Sequence, residues 1–418
     1  MSSAGDTRAG SPYQEGSEPE AAAVTRKQAK APLPRRLRTI LNLEEFEAAA
    51  RKHLPKPIFG YIAEAAESRG SLHQNRDAFS GYDFLPRVLI DVSHRTTRTE
   101  LLGHVYDAPF GIAPMGISAL SAYRGDIIQS RAAAAANIPH ILSSSSVIPL
   151  EEVIKENPRA WFQAYLSGDQ PAIMAMVERV ARAGYDTLVI TVDTPAYPNR
   201  ENYLRAGFHS PLQPSLGLAW QGLTHPRWLV GTFLRTFLRH GMPHFENNYA
   251  ARGAPILSRK VERDFSDRAH LNWEHFKDIR RMWTGKLLLK GILSAKDAVI
   301  AADLGADGVI VSNHGGRQLD GAVAPIRVIG DVASACPSIP VMMDSGVRRG
   351  TDVLKALALG AKFVWVGRPF NYAGAVGGEA GVTYAIHLLM EEISRDMAML
   401  GVRSIDEVKA GEHLIART

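Results

Sequence analysis

The sequence has one cysteine in 418 residues, Cys336, which excludes an internal disulfide and a cysteine-ligated metal and fits a reducing compartment. It has no uninterrupted apolar run of about 20 residues, so no membrane-spanning helix is expected. Net charge is small. Of the formal +5, residues 1–40 supply three (seven Lys and Arg less four Asp and Glu), leaving the rest nearly balanced, without the clustered basic surface that nucleic acid requires. The first thirty residues lack the apolar centre of a secretory signal and are too acidic for a transit peptide. No Walker loop, GxGxxG or HExxH occurs, so nothing implies a P-loop, a nicotinamide fold or a metal. A cytoplasmic protein is the expectation.

What remains is the composition of a chain that buries a core, 45% apolar and 22% charged. Residues 1–38 read as a disordered tail, with a recognition arm as the sharper alternative, and 39–418 as one domain. Eight short apolar strings alternate with helical patterns: 110–114, 138–144, 161–166, 187–193, 287–291, 308–314, 341–346 and 363–368. Such alternation is the mark of βα units, and eight of them predict a TIM (β/α)8 barrel. Helix starts follow the strings at Asp169 with Pro171, at Ser294 with Asp297, and at Thr351.

Two stretches exceed a minimal barrel. Residues 39–109 read in part as an N-terminal helical extension that caps the barrel or reaches its active face. After strand four, an insertion over about 194–272 is far longer than an ordinary βα loop, and it rises from the catalytic face. Within it, 226–240 puts Leu229, Val230, Phe233, Leu234, Phe237 and Leu238 on one helical face, with Arg235, Arg239 and His240 elsewhere. That helix either packs on the barrel or a neighbouring subunit, or lies in an anionic membrane surface.

Nearly every string ends in an out-of-place polar residue: Ser143, Gln163 and Tyr165, Thr191 and Asp193, Lys290, Ser312 and His314, Asp344, Arg368. In a barrel those ends share one face, so scattered residues become one site. His314 takes a proton near neutral pH, and Arg317, three residues on, clamps a carboxylate, with Gly315 and Gly316 allowing tight turns between them. Asp193 needs a partner if buried, and a histidine that turns cationic supplies one, while Arg200 adds charge for an acid. A lone buried Lys290 calls for an anion. "DSGVRRG" (344–350) and "VGRPF" (366–370) follow strands seven and eight, where barrels hold phosphate. Taken singly, each has a plainer reading: a core histidine, a loop turn at Asp193, a solvated Arg200, packed tyrosines.

With "SNHGGRQ" at 312–318 as its most specific motif, the chain resembles the FMN-dependent α-hydroxy-acid dehydrogenases and oxidases across roughly residues 42–410. The resemblance implies FMN lined by Pro114, Met115, Gly116, Ser143, Gln163, Thr191, Lys290 and Ser312. Asp344, Gly346, Arg348, Gly367 and Arg368 would take its ribityl and phosphate groups. It also implies His314 as base, Asp193 as its partner, Arg317 and Arg200 as carboxylate clamp, and Tyr61 and Tyr165 as phenols bonding the substrate. The family commonly forms tetramers. Several glycolate oxidases carry alanine at the position of Gly116 and tryptophan at that of Ser145; the smaller residues here predict lactate or a bulkier acid such as mandelate over glycolate. "THPRW" (224–228) and the basic helix after it are similar to the membrane-associated lactate dehydrogenase branch, which implies a protein peripheral to the inner membrane face that passes electrons to quinone or cytochrome. The competing expectations are an oxidase that reduces O2 to H2O2, and a non-redox phosphate-binding barrel or scaffold.

Overall fold

The computed structural model describes residues 33–258, 268–409 and 413–417. The expected tail lies outside the described residues up to 32; beyond that point Arg35–Leu37 makes one 3-10 turn and Leu37 is fully buried.

All eight strings form strands: β1 (Phe110–Ile112), β2 (Ile141–Ser143), β3 (Trp161–Ala164), β4 (Thr187–Thr191), β5 (Lys286–Ile292), β6 (Gly308–Val311), β7 (Val341–Met343) and β8 (Phe363–Val366). They pair in parallel in the order β1–β8–β7–β6–β5–β4–β3–β2. A parallel bridge from Ile112 to His140, just ahead of β2, joins the two ends and closes the barrel. Helices cover the outer face, so the strands are buried on both sides and read as continuous apolar strings rather than alternating ones.

Inside, Ile141, Trp161, Val189, Leu288, Ile310, Met342, Phe363 and Trp365 form one core cluster. Leu101 and Tyr106, from the hairpin Thr99–Leu101 and His104–Tyr106, pack into the same cluster. A packed interior leaves the loops after the strands as the place for chemistry.

The N-terminal extension supplies α1 (Glu45–His53), α2 (Lys56–Ala63) and α3 (Gly70–Asp77). It is fastened to the loop after β6: Asn75 and Asn313 exchange side-chain amide hydrogen bonds of 2.8 and 2.7 Å, and the Ala66 N–H donates to the Gly316 carbonyl at 3.0 Å. This places α2, and with it Tyr61, over the catalytic end.

Helix starts at Asp169 and Ser294 are capped as expected, their side chains accepting from the Ala172 and Asp297 amides. Thr351 is not a cap. The helix Gly350–Ala358 begins one residue earlier because Asp352 reaches back to the Arg348 and Arg349 amides, 2.9 and 3.0 Å, and Glu392 accepts from Gly350 at 2.8 Å.

In the insertion, Pro226–His240 is helical with a π-helical centre at Leu229–Leu234. The wider turn inserts a residue and splits the expected apolar face. Trp228 and Thr232 point inward, the Trp228 Nε1 donating to the Leu120 carbonyl at 2.6 Å, while Leu234 and Phe237 are exposed, as are Val230 (62%) and Leu238 (80%).

Candidate active site

A cleft opens at the C-terminal end of the barrel. Tyr61, Pro114, Met115, Gly116, Gln163, Tyr165, Thr191, Arg200, Lys290, His314, Arg317, Asp344, Gly346, Arg348, Gly367 and Arg368 all line it. Three expected site residues, Ser143, Asp193 and Ser312, stand one layer behind. Ser143 donates from its hydroxyl to Gln163 Oε1 at 3.0 Å, Ser312 Oγ accepts from Lys290 Nζ at 2.9 Å, and Asp193 backs His314. Each holds a wall residue rather than forming the wall.

The loop after β6 runs through three consecutive left-handed residues, His314, Gly315 and Gly316, at φ +59°, +66° and +75°. The glycines adopt this readily; for His314 it costs on the order of 1 kcal/mol, and surrounding hydrogen bonds enforce it. The His314 amide donates to Ser312 Oγ at 3.0 Å and the Gly315 amide to Ser345 Oγ at 3.0 Å. A Cβ on Gly316 would meet the Leu72 backbone nitrogen at 2.6 Å, and one on Gly315 would meet Arg368 Nη1 at 2.6 Å and displace that guanidinium.

So held, His314 lies between two partners. Its Nδ1 is 2.9 Å from Asp193 Oδ1 and its Nε2 3.2 Å from the Tyr165 hydroxyl. A carboxylate at Nδ1 assigns the proton there, leaving Nε2 as the acceptor, here for the Tyr165 O–H. Burial holds the imidazole below the usual histidine range; Asp193 opposes this, while the Lys290 and Arg200 cations reinforce it. Asp193 is subject to burial too, but the charge and hydrogen bond of His314, with Lys290, keep its carboxyl below the ordinary range. The result at neutral pH is a neutral base backed by an anion.

Lys290 is 4% exposed, and its Nζ is 2.8 Å from Asp344 Oδ2. Burial disfavours its charge, but Asp344 and Asp193 more than restore it, so the group stays cationic. Arg317 donates to the Tyr61 carbonyl at 2.7 Å and lies 4.9 Å over the Tyr61 ring. Arg200 Nε donates to the Arg317 carbonyl at 3.0 Å, and its Nη2 to Gln318 Oε1. Burial raises the pKa of both phenols, so Tyr61 and Tyr165 remain hydrogen-bond donors.

The remaining lining of the cleft fits a flavin mononucleotide. Gln163 Nε2 and Thr191 Oγ1 are buried there without a hydrogen-bond partner, which is costly unless a polar ligand supplies one. Lys290 offers a cation to the same region. Arg368 is pushed down to about 10 by burial and by the Arg317 and Arg348 cations around it, and burial with Arg76 also lowers Arg348, the state of guanidinia gathered for an anion. Gly346, at φ +88°, has no room for a side chain because α3 packs on it: a Cβ there would lie 2.0 Å from the Asn75 carbonyl oxygen.

Two features were not read from the sequence, and the room expected at a third, Gly116, is corrected. Gly291, at φ +104°, sits in the β5 irregularity between Lys290 and Ile292. Arg268, from the end of the insertion, lies 4.5 Å over the Tyr165 ring. At Gly116, a Cβ would stand 2.5 Å from the Tyr61 hydroxyl and 3.0 Å from Ser145 Cβ, so the space left by the missing methyl is filled by the phenol rather than left open.

The family of FMN-dependent dehydrogenases matches residues 50–415. An (S)-mandelate dehydrogenase of Pseudomonas putida is 38% identical over 373 residues, spanning 88% of this chain and 92% of the relative. An L-lactate dehydrogenase of Xanthomonas campestris pv. campestris is 38% identical over 371 residues, 87% of this chain and 94% of the relative. Among solved structures, the monotopic membrane protein (S)-mandelate dehydrogenase superposes with a TM-score of 0.82 at 36% identity, covering 91% of this chain and all of that one. A mandelate oxidase with benzoyl-formic acid superposes at 0.73 and 33%, covering 89% and 97%. Barrel, cleft and relatives agree, and the chain belongs to the FMN-dependent dehydrogenase family.

Proposed function

We propose that the cleft oxidises an L-2-hydroxy acid, lactate or a bulkier acid such as mandelate, to its 2-oxo acid, and that the electrons leave to a quinone or cytochrome at a membrane surface. The observation that carries this reading is the chain Tyr165–His314–Asp193, which faces Arg317 and Arg200 across one cleft. FMN, when bound, supplies the two-electron acceptor.

Arg200 and Arg317 hold the substrate carboxylate, and the Tyr61 and Tyr165 hydroxyls orient its oxygens. The acid gives up two electrons and two protons: His314 Nε2 takes up one proton, the other would leave with the electrons, and Asp193 stabilises the imidazolium that forms. Gln163 and Thr191 would bond the flavin edge, Lys290 would supply positive charge to it, and Arg348 and Arg368 would hold its phosphate. The relatives named for mandelate and lactate support the substrate class.

Three observations support the membrane reading. A structural neighbour is a monotopic membrane protein, the insertion exposes the apolar side chains Leu216 (91%), Trp220 (64%), Val230 and Leu238, and 226–240 contains three arginines and no acid. Among the described residues no helix is long and apolar enough to cross a bilayer, so the contact is with one surface.

An oxidase is the second reading, favoured by the fold shared with mandelate oxidase. Turnover in air with (S)-mandelate, followed in parallel as peroxide release and as reduction of a soluble quinone, separates the two. Quinone reduction with little peroxide is expected, and stoichiometric peroxide would overturn the acceptor assignment.

A further inference from the structure

The insertion returns to the barrel at Arg268, directly ahead of the helix Trp273–Met282. This arginine is 6% exposed and lines the same cleft as His314. Its Nε donates to Ser167 Oγ at 3.0 Å and its Nη1 to Thr194 Oγ1 at 3.1 Å, while its Cζ lies 4.5 Å over the Tyr165 ring. Ser167 is two residues past Tyr165, and Thr194 is the residue after Asp193. One guanidinium thus ties the loop after β3 to the loop after β4, and those loops carry the two groups that flank His314.

We infer that Arg268 is a positioning residue for the reaction, which clamps Tyr165 and Asp193 into register on either side of His314 and holds a cation against the Tyr165 ring. Two physical effects follow. The planar fork bonds two loops at once, which a flexible ammonium does less well. Its charge also draws the Tyr165 phenol down against the upward push of burial, making the O–H a stronger donor. Arg268 acts through Tyr165 and does not need to touch the substrate.

This inference rests on the role proposed above for Tyr165, so the test is a double-mutant cycle on the FMN-loaded, full-length protein: Arg268→Gln, Arg268→Lys, Tyr165→Phe and Arg268→Gln with Tyr165→Phe. The readouts are kcat and KM, the anaerobic rate of flavin bleaching, and an ultraviolet titration of tyrosine ionisation. Arg268→Gln is expected to lower kcat about tenfold or more with KM changed less, and Arg268→Lys to recover part of the loss. In the Tyr165→Phe background the same change should cost several-fold less, the remainder being its hold on the loop that carries Asp193. The ionisation step absent in Tyr165→Phe should move to higher pH in Arg268→Gln. An undiminished loss in the Tyr165→Phe background, or no loss at all, would overturn the inference. If Tyr165→Phe itself leaves kcat unchanged, the role given to Tyr165 fails instead. Should Arg268→Gln fold poorly, Ser167→Ala with Thr194→Ala removes the two acceptors while keeping the arginine, and must reproduce the loss in kcat for the inference to stand.

Discussion

Gly291 makes room for Asp193: a Cβ on that glycine would lie 2.6 Å from Asp193 Cγ and 2.7 Å from its Cβ. The bulged, left-handed turn in β5 is therefore part of the active site, although Gly291 has no side chain to contribute. Gly291→Ala is expected to displace Asp193 from His314 and lower kcat/KM about 100-fold, since a shift of an ångström in a catalytic group costs that much. FMN content, measured by visible absorbance, should stay near the parent value; joint loss of flavin and activity would point to collapse of the strand instead.

The base and its carboxylate give a pH signature. His314 must be neutral to accept a proton, and its pKa lies below the usual histidine range, so kcat/KM should be flat through neutrality and fall only as pH drops through that lowered value. Asp193 raises the histidine's pKa. Asp193→Asn should then move the acid limb to lower pH while the plateau falls about 100-fold or more. A limb that moves upward would contradict the pairing.

For the phosphate end, Arg368→Gln removes a buried cation and Arg348→Gln a half-buried one. A charged hydrogen bond contributes about 1.5–3 kcal/mol, so either change should weaken FMN retention roughly 10- to 100-fold, read from free-flavin fluorescence after dilution. Arg368 also donates to the Ile62, Gly315 and Glu64 carbonyls, so its loss should additionally lower the melting temperature of the flavin-free protein.

Asp126 offers a test away from the chemistry. Burial pushes its carboxyl up to about 7 from an ordinary 3.8, and its Oδ2 has no hydrogen-bond partner. A raised folded-state value favours the protonated form, so its contribution is fully present below about pH 4 and is lost as pH rises through about 7, with roughly 4 kcal/mol as the upper bound. Asp126→Asn should raise the melting temperature more at about pH 8 than at about pH 5, with the least effect at about pH 4.

Much of this was legible along the chain. Strand ends broadcast their polar residues at the spacing of βα units, so the eight strands and the residues at their mouths followed from local pattern. The features that were missed are all through-space. Gly291 matters because of a carboxylate just past the neighbouring strand and Arg268 because the insertion after β4 returns to Tyr165, while the room expected at Gly116 is taken because a helix from the N-terminal extension brings the Tyr61 hydroxyl into it. Ser143 and Ser312 sit at strand ends as expected, and their hydroxyls bond Gln163 and Lys290, a pairing across neighbouring strands that no periodicity encodes.

The most direct measurement is anaerobic rapid mixing of the FMN-loaded protein with L-lactate, (S)-mandelate and glycolate, following the visible flavin band, alongside His314→Gln. Bleaching by lactate or mandelate faster than by glycolate, lost in His314→Gln despite full flavin content, is the predicted result. Bleaching by none of the acids, or undiminished bleaching in His314→Gln, would contradict the account.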